Sequence, residues 1–143
     1  IHMSARDEVS NIGVGWVVES FKIDDSTITY DKTKEGGSAS VGKAVTLSGN
    51  DVVALVADGQ AVTGVLLHVE SDGVAAVVTD GVVELPAGDG ATVTRGKKIV
   101  GDLGPSSAKG YIREVATATA AELGVARGSI RNVADTAAVV VKL

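Results

Sequence analysis

From residue 41 to residue 100 the chain alternates short valine-rich runs with Gly, Asp-Gly, Asn-Asp or Pro breaks. Valine is stiff at χ1 and suits a pleated, half-buried surface better than a helix. The runs 44–47, 52–56, 61–69, 74–78, 81–85, 91–94 and 98–100 therefore read as strands. Asp72-Gly73 and Asp80-Gly81 carry the signature of type I′ hairpin turns, which need positive φ at both central residues. Gly64 interrupts the longest run and predicts the bulge or sharp bend that closing a small barrel requires. Pro86 ends a strand because it has no N–H to give to a ladder.

The flanks follow less regularly. Residues 13–19 predict a first strand and 27–30 a second, and 101–110 reads as a loop around Pro105. Thr119 and Glu122 have capping-box spacing, with Gly124 placed to supply a left-handed terminus. They predict one short helix near 119–123. Residues 127–133 return to strand, 134–136 turn, and 137–143 form a closing strand that pairs inside a sheet. The expectation is an all-β fold, a small β-barrel or compact sandwich of short strands, with one short helix near the C-terminal third. It forms a single β domain over 13–143. Ile1-His2-Met3 reads as a tag remnant, and the polar, aperiodic residues 4–12 as a flexible N-terminal arm.

Composition sharpens this picture. The 143 residues suit one core, and with 45% hydrophobic but only 3% aromatic residues, valine and alanine must build it. Thirteen basic against eighteen acidic residues argue against wrapping a nucleic acid backbone. No apolar run is long enough to span a bilayer as a helix. No cysteine is present, which excludes disulfides and thiolate chemistry.

Candidate chemistry is thin. His68 lies within a strand run and no G-x-S-x-G elbow accompanies it. Gly96-Lys97-Lys98 lies between strands, where a phosphate-binding loop would need a strand before it and a helix after, so a basic turn is expected. Asp24, Asp25 and Asp31 are spaced too loosely for a calcium-binding loop. The expectation is no catalytic, cofactor or metal site. Trp16, Phe21 and Tyr30 cluster in the front section, and two roles fit them: plugging an open barrel end, or anchoring a subunit contact.

The order and spacing of several pieces resemble the capsid cement, or head decoration, proteins of tailed bacteriophages. These pieces are Val14-Gly15-Trp16, residues 27–30 with Gly36-Gly37-Ser38, 41–47, Gly64-Val65-Leu66 with Val69-Glu70, 81–86, 96–102, 109–113, Arg127-Gly128 and 135–143. The resemblance implies a non-enzymatic, mostly-β protein made in the host cytoplasm. It would attach to the outer surface of the virion, clamping the major capsid protein and commonly forming a homotrimer. Interface candidates are Trp16, Phe21 and Tyr30, with Arg6 and Glu8 of the arm. The arm itself is expected to order on the shell by adding to a strand edge there. The competing expectation is a small ligand- or carbohydrate-binding barrel module, which needs a pocket of convergent polar and aromatic groups.

Overall fold

The structure, a computed structural model, describes residues 10–116, 119–133 and 138–143. The arm with Arg6 and Glu8, and the turn expected at 134–136, lie outside the described residues. Strands dominate. Five of them close a barrel in the order β1-β3-β2-β4-β5: β1 (Val17–Ile23), β2 (Ala44–Gly49), β3 (Val52–Leu55), β4 (Gly64–Val69) and β5 (Val74–Asp80). A three-stranded sheet follows, in which β10 (Val139–Lys142) lies between β6 (Val82–Leu85) and β9 (Ser129–Val133). A hairpin of β7 (Ile99–Asp102) and β8 (Tyr111–Glu114) completes the β structure, and α1 (Ala120–Val125) is the one short α-helix described. The all-β expectation with a short late helix holds, and the closing strand is central in its sheet.

Two buried clusters fill this frame. Ile28, Val45, Val53, Leu66, Val69, Ala75 and Val77 fill the barrel. A second cluster joins barrel residues such as Val65 and Val78 to Leu85, Ile99, Ile112, Ile130 and Val141. Small branched side chains do most of the filling, each worth about 1.5–3 kcal/mol when fully buried. Arg127 locks the two parts together. Its guanidinium donates to the carbonyls of Thr63 and Thr79 at 3.0 Å each, and its backbone bridges to Ile99.

Several sequence expectations need correction. Residues 27–30 form no strand; the N–H groups of Thr27 and Ile28 donate to Asp24 O in a turn that drops Ile28 into the barrel. The first strand begins at Val17, because 12–15 are a turn. Residues 91–94 join no ladder. Glu114 N–H to Thr92 O is the backbone bond that ties them to β8, itself a strand that was not expected. Asp72-Gly73 does turn the β4–β5 hairpin, but only Gly73 has positive φ. Gly73 N–H closes onto Glu70 O, so the loop is a three-residue turn with a glycine bulge.

Asp80-Gly81 makes no hairpin at all. β5 pairs with β1 and β4, whereas β6 pairs with β10. Gly81, at φ +99°, turns the chain out of the barrel, and a Cβ there would meet the Gly15 carbonyl carbon at 2.6 Å. Gly64 answers to close approach instead of a bulge: a Cβ would strike the Val78 carbonyl. The β4 irregularity lies at Leu66–His68.

The capping box also fails. Thr119 occupies the N-cap without a side-chain bond, and the helix ends through Ala126 at φ −64°, with Gly124 inside it. Glu122 has been taken by a distant arginine.

Candidate functional site

The unusual surface of this barrel is its front. Every residue from 11 to 20 is exposed, and five of them are large and apolar: Ile12, Val14, Trp16, Val17 and Val18. Successive strand residues point to opposite faces, so a barrel strand should bury one of each adjacent pair. Val17 and Val18 are 49% and 48% exposed. Neither face of β1 is covered at its start.

Its edge is open as well. β1 pairs with β5 from Val17 to Lys22, but with β3 only at Lys22↔Val52 and Ile23↔Val53. Ile23 donates to Gly73 O on the β5 side and Lys22 to Asp51 O on the β3 side. By strand alternation, the N–H and C=O groups of Ser20 and Val18 face the β3 side, beyond the last β3 pair. An uncovered apolar strand with a free backbone edge can accept an extended segment from another chain.

Trp16 anchors this front. Its Nε1 donates to Val82 O at 2.6 Å, the same carbonyl that receives Gly13 N–H, while Val82 N–H returns to Val14 O. The turn before β1 is thereby fastened to the second sheet, leaving Trp16 38% exposed. The structure does not bring the three expected aromatics together. Phe21 packs, half-buried, on the barrel cluster, where Ile28 is the plug. Tyr30 lies exposed beside Asp72 and Gly73, at the opposite end of β1 from Trp16. Sequence reasoning missed Ile12, Val14, Val17 and Val18, since a valine pair in a strand reads as core.

Elsewhere the densest polar grouping surrounds Arg113 on β8. It donates to Glu122 at 2.7 Å, to Asp58 at 3.1 Å and to Glu114 O at 3.1 Å, with Asp102 at 4.0 Å. Hydrogen bonding to Glu122 raises the guanidinium pKa further and holds the Glu122 carboxyl below its ordinary range. Burial, first, and the neighbouring Asp58 push Asp102 upward. The arginine is engaged by partners on both sides, so the group fastens α1 and the 57–60 loop to β8.

The depression of about 740 Å³ beside it is lined by Asp89, Lys97, Asp102 and Glu114 among others, without an aromatic. Tyr111 lines another depression, next to Asp89, and its ring and hydroxyl are engaged by Lys43, whose Nζ lies 3.0 Å from the hydroxyl and 4.3 Å from the ring centre. Asp24 and Asp31 each turn one oxygen onto local donors, Ser26 and Thr33, which lowers both pKa values. Gly96 and Lys97 form the expected basic turn, closed by Lys97 N–H to Thr94 O. His68 is an exposed strand residue. No protein-family model matches the sequence, and no curated protein matches it.

Proposed function

We propose that this protein is a non-enzymatic head decoration protein. It binds the outer surface of an assembled phage capsid through its front segment and holds neighbouring capsid subunits against the pressure of packaged DNA. The observation that carries the reading is the uncovered start of β1, where valines on both strand faces and an open backbone edge adjoin the pinned Trp16. A monomer gains nothing by exposing such a strand, whereas a protein that is buried against other subunits needs it. The likeness of the sequence to cement proteins points the same way.

In this reading an extended segment of the major capsid protein continues the sheet at Val18 and Ser20, and Trp16 fills a pocket on the shell. Copies associate as homotrimers, in solution or on the lattice. Binding that is specific for the assembled shell stabilises it by mass action. Sedimenting the protein with expanded, undecorated shells tests the proposal. Saturation at a fixed ratio to the major capsid protein is expected, and failure to co-sediment overturns it.

A further inference from the structure

The end of β1 away from Trp16 carries a second exposed aromatic. Tyr30 is 39% exposed and borders two adjoining depressions that share it and Ser71. One, of about 410 Å³, is lined also by Ile23, Asp25 and Asp72. The other, of about 510 Å³, adds Lys32, Lys34, His68 and Glu70. The backbone before and after the tyrosine is pinned. Ser38 Oγ donates to Thr29 O at 2.8 Å, and Asp31 N–H donates to Gly37 O at 2.8 Å. Gly37, at φ +85°, lies against the ring: a Cβ there would come within 3.4 Å of it and would strike the Val69 carbonyl. The Tyr30 hydroxyl and the Asp25 carboxylate make no hydrogen bond among the described residues.

An aromatic that is held in place without being covered, with hydrogen-bonding groups around it, is the convergent arrangement a ligand site needs. Fixing it beforehand lowers the cost of binding. The lining selects the ligand. Ionised Asp25, Glu70 and Asp72 only accept hydrogen bonds, whereas Lys32 and Lys34 only donate. Charges of both signs interleaved in this way favour an ion of neither sign. They suit a neutral ligand whose hydroxyls both donate and accept, and whose C–H face can lie on the phenol ring. A saccharide has both, and two adjoining depressions suit successive units of a chain.

We infer that Tyr30 and its two depressions bind a neutral oligosaccharide. One sugar unit lies on the ring, and its neighbours hydrogen-bond to Asp25 and Asp72 in one depression and to Lys32 and Lys34 in the other. The site does not depend on the proposed shell contact. β1 runs seven residues, about 20 Å, from Val17 beside Trp16 to Ile23 in the first depression, so shell and saccharide can be held at once.

The test is saturation-transfer NMR on the full chain, with maltohexaose, cellohexaose, mannohexaose and the hexamer of N-acetylglucosamine as probes. At least one probe should bind saturably. Tyr30→Ala should weaken that binding about tenfold or more, as for an aromatic anchor. Tyr30→Phe should retain it, and Trp16→Ala should leave it unchanged. A double variant, Asp25→Ala with Lys32→Ala, keeps the ring and should also weaken binding; it decides the matter if Tyr30→Ala does not fold. No binding by any probe, or binding that survives both Tyr30→Ala and the double variant, overturns the inference. Co-sedimentation with shells separates this site from the decoration reading. Tyr30→Ala should decorate like wild type; if it is released from shells, the depressions belong to the capsid contact and the inference fails. A wild type that binds saccharide but never decorates leaves this site standing and overturns the other reading.

Discussion

The indole Nε1 of Trp16 donates to the backbone carbonyl of Val82 across 2.6 Å, while 38% of the residue remains exposed. The bond orients a large apolar ring at the surface without burying it. In the proposed reading, such a ring is an interface anchor held in place before its partner arrives.

Trp16→Ala should therefore separate stability from assembly. The lost hydrogen bond costs about 1 kcal/mol, or a melting temperature lower by roughly 2–4 °C. Affinity for undecorated shells should fall roughly tenfold or more, as for a central aromatic anchor. Calorimetry beside shell titration checks this. A large drop in melting temperature with unchanged affinity would return Trp16 to the core.

Gly64→Ala should destabilise the barrel by about 1–3 kcal/mol, the usual cost of forcing an atom into a filled space. The added methyl would strike the Val78 carbonyl and come within 2.9 Å of the Val77 side chain. Urea unfolding measures it, and a midpoint equal to wild type would refute the close approach.

Thr119→Ala should leave stability within about 0.5 kcal/mol, as for an ordinary surface change. A bonded N-cap would lose about 1 kcal/mol. The Thr119 side chain makes no capping bond, so the same urea experiment distinguishes the two.

The acid limb of the stability curve should carry the signature of Glu122. Its folded-state pKa lies below the ordinary 4.5, chiefly through Arg113. The stabilisation is therefore fully present above about 4.5 and is lost as pH falls through the lowered value. Asp24 and Asp31 act in the same direction below their ordinary 3.8. Asp102 has the opposite sign: its raised pKa disfavours the folded state while it is ionised, and protonation relieves that. Glu122→Gln should flatten the decline below pH 4.5 when melting temperature is followed against pH. A decline as steep as wild type would show that the ion pair contributes nothing.

Local signals were legible where the physics is local. The valine rhythm, the strand stop at Pro86 and the basic turn at Gly96 each depend on neighbours in sequence. Asp80-Gly81 misled because hairpin chemistry specifies a sharp reversal but not its hydrogen-bonding partner, and β6 finds its partner in β10, more than fifty residues later. Glu122 has the spacing for a local cap, yet Arg113 competes for its carboxylate with a charged hydrogen bond. The candidate site was half legible. Trp16 stands out by type, but the bareness of Val17 and Val18 depends on β3 departing after two pairs, which no valine pair announces.

The position of β10 has a consequence for how the molecule is made. This strand is the last in chain order, yet it is the middle of its sheet, with β6 on one side and β9 on the other. The barrel can close on the ribosome once β5 has emerged. The second sheet must wait for Val139–Lys142, and until then β6 and β9 have nothing between them. A chain that stops before Val139 therefore cannot complete the sheet that holds Val82, whose carbonyl receives the Trp16 indole.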